Sequence, residues 1–103
     1  MEAQDDEFGA RSSNNLGVLA SVRGDRELAL TAYQRAVAAY QRLQYTRGLA
    51  QTHYNLGIVY RDLGFEPDAE RHFGLALAFA DETESDDITA LAETERALLC
   101  AAE

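Results

Sequence analysis

The sequence predicts an all-α protein built of paired helices, and three observations support this fold class. Apolar residues recur at helical spacing in two neighbouring stretches: Leu56, Tyr60 and Leu63, then Ala69, Phe73 and Ala76. Gly64 and Pro67 separate the two stretches, because glycine favours the position after a helix C-terminus and proline fits a first helical turn. The same arrangement also occurs a second time, upstream in the chain.

The upstream copy matches at one constant offset, the step from Gly17 to Gly57, which we call the repeat offset. The matching positions are Asn15 and Asn55, Leu16-Gly17 and Leu56-Gly57, Gly24 and Gly64, Ala29 and Ala69, Tyr33 and Phe73, and Ala36 and Ala76. The small residues in this set allow helix backbones to approach closely, and the aromatic residues fill the space between the helices. We therefore predict a tandem repeat of two helix–turn–helix units.

Leu-Gly, then Tyr, then Ala, an aromatic residue and Ala at fixed offsets resembles the tetratricopeptide repeat. The usual repeat has about 34 residues, so these longer units resemble a long-repeat variety. The resemblance covers roughly residues 11 to 103 and implies a right-handed α-α superhelix (a solenoid). The residues expected to pack the repeats are Leu16, Gly17, Ala29, Tyr33, Ala36, Leu56, Gly57, Tyr60, Ala69, Phe73 and Ala76.

Taken in order, the chain divides into a tail, two repeats and a final helix. Residues 1–10 are acidic and are expected to be a frayed tail. Repeat one spans about 11–46 and repeat two about 47–86, with a C-terminal capping helix at about 87–102. Helices are predicted from about Gly9 or Ser12 to Arg23, and then at about 26–44, 46–63, 67–80 and 87–102. Asp25, Thr46 and Asp87 are the candidate N-caps.

The last helix departs from the repeat pattern. Arg96 stands one repeat offset after Leu56, and a charged residue at a buried position suggests the outward-facing cap that a solenoid needs at its end. The alternative is a slightly shifted register, with Leu91, Leu98 and Leu99 making the contact. We favour the cap.

Composition limits the range of partners. The 103 residues carry a net charge of −9, and all nine basic residues are arginine. This acidic balance disfavours nucleic acid and anionic membranes, and a cationic or mixed-charge peptide would be easier to attract. No apolar run approaches the roughly 20 residues needed to cross a bilayer. With no signal pattern at the start and a single Cys100, we expect a cytoplasmic protein.

No reactive or metal-binding constellation is evident, so we expect neither an enzyme nor a cofactor. His53 and His72 are well separated in the chain, on different predicted helices. A zinc site needs three or four clustered ligands, which two separated histidines and Cys100 do not supply. His53 lies on an apolar stripe and is expected to be a packed core residue, whereas His72 is expected to be exposed.

What remains is a surface for binding. The resemblance implies that the first helix of each pair lines a concave groove that receives a peptide. The groove residues are then Arg11, Asn14, Val18, Ser21 and Val22 on the first helix, and Gln51, Tyr54, Ile58, Arg61 and Asp62 on the third. Alternatively, Val18, Val22, Tyr54 and Ile58 pack against an adjacent helix or a second subunit.

The sequence thus predicts a non-catalytic protein–protein interaction module whose partner is a protein or peptide. Two alternatives stay open. The repeats could drive self-assembly, as a homodimer or as a piece of a longer scaffold, because two and a half units leave apolar end faces. The groove could instead bind a small ligand and act as a regulatory sensor.

Overall fold

The described residues form five α-helices in sequence, and the predicted all-α architecture is confirmed. The computed structural model describes the backbone of residues 3–102 and the side chains of residues 8–101. The helices are α1 (Ala3–Val22), α2 (Arg26–Leu43), α3 (Thr46–Asp62), α4 (Glu66–Glu82) and α5 (Asp86–Ala102). α1 packs on α2 and α3 on α4 as two hairpins, and α5 packs on the second hairpin. Within the described part of the chain there are no strands.

Four turns of the same geometry set the length of every unit. The residues with positive φ are Gly24 (82°), Gln44 (55°), Gly64 (87°) and Glu84 (53°), and they are evenly spaced along the chain. In each turn the next residue donates its N–H to the carbonyl five positions back, as Asp25 does to Ala20 and Ser85 to Ala80. This hydrogen bond ends the preceding helix at a residue in the left-handed backbone conformation. Each repeat unit therefore consists of two helix-plus-turn segments of equal length.

An aromatic ring over a glycine holds each hairpin together. A Cβ atom on Gly17 would lie 2.4 Å from the Tyr33 ring, and one on Gly57 would lie 2.5 Å from the Phe73 ring. Real Cβ atoms do not come so close to other heavy atoms, so only glycine allows these helix pairs to approach as they do. Tyr33 and Phe73 are almost completely buried there.

The second hairpin stacks on the first through residues of α3. Leu56 and Val59 pack with Ala20, Ala29 and Tyr33 in one buried cluster. Tyr60, which is half-buried, packs against the same cluster. Ala36, Ala69 and Ala76 are completely buried. Leu16 differs: it is 41% exposed, because no hairpin precedes α1 in the described chain.

The final helix keeps the repeat register. α5 begins one repeat offset after α3, and Leu99 packs in a buried cluster with Ala69 and Phe73. Arg96 lies outside the core, with its Nη2 3.8 Å from Glu70 Oε1. The register therefore does not slip: α5 covers the second hairpin, and Arg96 lies on the side of α5 that faces this hairpin, where it pairs with Glu70.

At the start of α1 the expected frayed tail needs correction, whereas the expected N-cap of α2 is present. α1 begins at Ala3 rather than near residue 11, and Ala10 is completely buried beside Ala36, Ala39 and Tyr40. Residues 3–10 are thus helical and Ala10 packs against α2, because α1 extends further toward the N-terminus than expected; residues 1 and 2 lie outside the described residues. Asp25 caps α2 as expected, accepting from the Leu28 N–H at 3.1 Å.

Thr46 and Asp87 do not act as the N-caps proposed from the sequence. Both lie inside their helices, which Tyr45 and Ser85 precede. The Asp87 carboxylate instead binds the Arg47 guanidinium, at 3.0 Å between Oδ2 and Nη2. This ion pair therefore joins the start of α3 to the start of α5. The sequence had predicted a local cap at each of these helix starts.

We predict that Gly57→Ala destabilises the protein, since the new methyl group would overlap the Phe73 ring. Overpacking of this kind costs about 1–3 kcal/mol, measurable by urea unfolding. Gly74→Ala is the matched control, because a Cβ there meets nothing within 4 Å. It should be stabilising by about 0.5–1 kcal/mol, as alanine is preferred within helices. Equal free energies of unfolding for the two variants would contradict the packing described.

We also predict that Gln44→Gly raises the thermal stability. Gln44 adopts the left-handed conformation that Gly24 and Gly64 adopt at equivalent turns. That conformation costs a non-glycine residue about 1 kcal/mol, and relieving it should raise the melting temperature by about 4–8 °C in a domain of this size. Gln41→Gly, within α2, is the control and should lower it. A lower melting temperature in both variants would show that the turn at Gln44 is not strained.

Candidate partner-binding groove

The first helix of each hairpin and α5 lie next to one another, and polar contacts join them. Asn14 of α1 is buried, and its Oδ1 accepts from Thr52 Oγ1 at 3.4 Å and from Asn55 Nδ2 at 3.3 Å. Arg61 of α3 forms an ion pair with Glu95 of α5. These contacts fix α1, α3 and α5 side by side, as the predicted groove requires. We call their shared face the α1–α3–α5 face.

A cavity opens between α1 and the start of α3. Its volume is about 280 Å³, and its lining consists of Arg11, Asn14, Asn15, Tyr40, Tyr45, Arg47, Gly48 and Gln51. Three of the predicted groove residues, Arg11, Asn14 and Gln51, therefore meet at one cavity. Most of the lining side chains carry N–H or O–H donors, so the cavity can hydrogen-bond to carbonyl or carboxylate oxygens.

Gly48 and Tyr45 belong to this cavity, although the sequence analysis did not select them. The residues one repeat offset later are Ile88 and Ser85. Ile88 is buried with Ala50 and Ala80. Ile88 of α5 thus supplies a side chain at the repeat position where α3 has Gly48, which packs against Tyr40 of α2. The loss of a large residue at one copy of a repeat position is the signal that could have located the cavity.

Tyr54 and Ile58 of the predicted groove pack within the protein. The Tyr54 ring lies 5.9 Å from the Phe73 ring, centre to centre, and both residues contact the cluster that contains Leu99. Burial raises the pKa of Tyr54, and the nearby Glu95 carboxylate adds to the effect. The two side chains are half-buried, so they support α5 and leave only part of their surface for a partner.

The other predicted groove residues vary in exposure. Val18 and Val22 are exposed on α1, and Ser21 is half-buried. Arg61 also contacts the exposed Asp62, at 3.3 Å between Nη2 and Oδ1. The structure thus gathers Arg11, Asn14 and Gln51 at the cavity, and places the remaining residues along the same helices without one common contact.

The α5 helix adds a third row to this face. Leu91, Thr94 and Leu98 follow Gln51, Tyr54 and Ile58 by one repeat offset. Leu91 is 50% exposed and Leu98 is 57% exposed. The repeat offset alone would have identified these residues, had it been extended from α3 to α5.

The two histidines form a buried pair, which corrects the expectation that His72 is exposed. Their Nδ1 atoms lie 3.0 Å apart, so one neutral ring donates to the other. The rings lie in a row of four aromatic side chains, with Phe79 beside His53 and Tyr60 beside His72. His72 is buried because α4 turns it toward His53 of α3, which sequence separation alone did not reveal.

Burial, with contributions from His72 and Arg71, lowers the pKa of His53 to about 4. Burial, reinforced by Arg71 and opposed by Asp68, also lowers the pKa of His72. The folded protein therefore keeps both rings neutral at pH values where the unfolded chain is protonated. The pair acts as a hydrogen-bonded core element, and no group of three or more His, Cys, Asp or Glu side chains able to hold a metal occurs among the described residues.

This pair predicts a pH-dependent stability. Because the folded pKa lies below the usual value of 6.5, stability contributed by neutral histidine is fully present above pH 6.5 and falls as the pH decreases toward 4. The loss from His53 reaches about 2–3 kcal/mol near pH 4. Urea unfolding at pH 7.0, 6.0 and 5.0, about one pH unit apart, measures how the free energy of unfolding falls as the pH decreases.

The control for this measurement is the double variant His53→Phe, His72→Phe. It keeps the stacked rings and removes both titrating groups, while the carboxylates titrate as in the wild type. Its free energy of unfolding should fall less over the same range of pH. If the free energy of unfolding changed equally with pH in the two proteins, the interpretation of the histidines as a buried neutral pair would be contradicted.

Comparison with protein-family models supports the interpretation of the fold. The model for the tetratricopeptide repeat matches residues 8–82, which contain both hairpins. Comparisons with curated proteins and with solved structures found no match. No helix in the described part of the chain is long and apolar enough to cross a membrane. The matched range covers most of the chain and both of the repeat units described above. The chain belongs to the tetratricopeptide repeat family.

Proposed function

We propose that the chain binds a segment of another protein along the α1–α3–α5 face. Tetratricopeptide repeats generally mediate protein–protein interaction, and the proposal places that role at a defined surface of this chain. The observation that carries it is the cavity between α1 and α3, which is lined by Arg11, Asn14 and Gln51. A peptide backbone presents carbonyl groups that these donors can bind.

The rest of the face supplies apolar contact. Val18 on α1 and Leu98 on α5 are exposed at positions two repeat offsets apart, and Leu91 on α5 is also exposed. Donors at the cavity, together with apolar side chains elsewhere on the face, resemble the mixed polar and apolar composition of non-obligate interfaces. The face is thus suited to an extended or helical segment that has both carbonyl groups and apolar side chains to bury.

The cavity itself favours a peptide over an independent small ligand. Pockets for small molecules have volumes of about 300–1,000 Å³ and are mostly apolar. The cavity here is about 280 Å³ and its lining is mostly polar. It is therefore better suited to one or two groups of a longer ligand. As parts of the same proposal, the protein acts without catalysis and in the cytoplasm.

The test is selection of peptides from a random display library on the immobilised chain, followed by fluorescence anisotropy with the selected peptides. Arg11→Ala and Gln51→Ala should each weaken binding by about fivefold or more, equivalent to about 1 kcal/mol. Arg35→Ala is the control: it removes the same charge from an exposed position of α2 outside the cavity. No selected peptides, or equal losses in all three variants, would contradict the proposal.

A further inference from the structure

The α3 helix begins at the cavity without a side-chain cap. Tyr45, Arg47 and Gly48 line the cavity, and Tyr45 supplies no side-chain hydrogen bond to the helix start. The Leu49 N–H is the first of the helix to reach a carbonyl, that of Tyr45, at 3.2 Å. The N–H groups of Thr46, Arg47 and Gly48 therefore have no acceptor within α3, and the helix dipole adds partial positive charge there.

A buried amide at the same cavity is an independent sign of a missing acceptor. Asn14 is only 8% exposed, and it lines the cavity. The hydrogen bonds from Thr52 and Asn55 are both accepted by the Asn14 Oδ1 atom. None of the hydrogen bonds seen between described residues uses the Asn14 Nδ2 group, although buried amide groups normally have an acceptor. A ligand oxygen in the cavity would supply one.

The charge of the lining favours an anionic ligand. Arg47 lies beside the α3 start, and among the described residues that line the cavity none is acidic. The Arg47 guanidinium contacts Ser85 at 2.7 Å and Asp87 at 3.0 Å, and it has more N–H donors than these bonds use. Because hydrogen bonds to an ionised oxygen are stronger than those to a neutral carbonyl, this group of donors prefers a carboxylate.

Two aromatic rings form another part of the lining. Tyr40 and Tyr45 have ring centres 5.6 Å apart, and both line the cavity. The methylene stem of an acidic side chain can bury its apolar surface against these rings. A peptide C-terminus has its carboxylate directly on the backbone and lacks such a stem. The lining therefore matches an acidic side chain better than a chain end.

We propose that the cavity binds one acidic side chain, aspartate or glutamate, of the partner segment. The carboxylate accepts from the N–H groups at the α3 start, from Arg47 and from the Asn14 Nδ2 group. The inference rests on the proposed binding of a protein segment and names the group that enters the cavity. Because the chain has a net charge of −9, further acidic residues in the segment would be repelled. The preferred segment has one acidic residue among neutral or basic ones.

The first test uses two capped amino acids as probes, N-acetylglutamate N-methylamide and N-acetylglutamine N-methylamide. They differ in one carboxylate, and neither has a free chain end. In NMR titrations of the isotope-labelled protein, the glutamate probe should shift the backbone signal of Gly48 and the side-chain signal of Asn14. Its dissociation constant should be at least about fivefold lower than that of the glutamine probe. Equal affinities, or no shifts with the glutamate probe, would overturn the proposal.

A third probe, N-acetylalanine, separates a side-chain carboxylate from a chain end. Its only carboxylate is at the end of the backbone, so it should bind at least about fivefold more weakly than the glutamate probe. Equal or tighter binding of N-acetylalanine would overturn the assignment of the cavity to a side chain.

The variant Gln51→Glu tests the charge of the cavity. Gln51 is exposed and lines the cavity, so the added carboxylate should weaken binding of the glutamate probe at least about fivefold by repulsion. Gln34→Glu is the matched control, with the same change at an exposed position of α2 outside the cavity. It should leave the affinity unchanged, and circular dichroism checks that both variants are folded. Equal effects of the two variants would overturn the proposal.

The peptides selected from the display library separate this inference from the proposed function. Replacing the acidic residue of a selected peptide with its amide should weaken binding at least about fivefold, whereas amidating its C-terminus should not. Selected peptides that bind equally well without an acidic residue would overturn the inference and leave the proposed function standing. Failure to select any peptide would overturn both.

Discussion

The packing of an aromatic ring directly on a glycine is the constraint on which the remaining structure depends. Tyr33 covers Gly17 and Phe73 covers Gly57, at distances that exclude any Cβ. This contact brings the two helices of each hairpin close enough to bury alanines such as Ala29 and Ala69 completely. The spacing within the hairpin then determines where α3 can stack on α1 and α2, and where α5 can stack on α3 and α4.

Stacking creates the surface to which function is assigned. Because each unit repeats at the same offset, α1, α3 and α5 lie side by side and share one face, with the Asn14 contacts and the Arg61–Glu95 ion pair between them. The same repetition leaves an unpaired packing face at each end. On α1 this face exposes Phe8, Leu16 and Leu19.

Much of the fold could be predicted from the sequence because it depends on residues with strong local preferences. Gly24 and Gly64 mark two of the four turns, and the repeat offset locates both hairpins. The turns at Gln44 and Glu84 were less evident, since neither residue favours a left-handed conformation. The sequence predicted breaks between helices at both places, but the left-handed conformation of Gln44 and Glu84 and the even spacing of the four turns are seen only in the structure.

The candidate site was less accessible to sequence reasoning, because it depends on which side chains meet across helices. Gly48 lines the cavity with Tyr40 packed directly against it, at a repeat position where the next unit has Ile88. The pairing of His53 with His72 required knowing that α3 and α4 turn both rings inward. Tyr54 looked like a binding residue, yet much of its surface is used to support α5. Helical periodicity assigns a face to each residue, but it does not determine what covers that face.

The most direct test of the glycine–aromatic constraint is a double-mutant cycle between Gly57→Ala and Phe73→Leu, measured by urea unfolding. If the Phe73 ring sets the hairpin spacing, the smaller leucine relieves the overlap with the new methyl group. The double variant should then be more stable than the sum of the single effects implies, by about 1 kcal/mol or more. Additive effects would show that the ring and the glycine are not coupled, and would contradict this account of the fold.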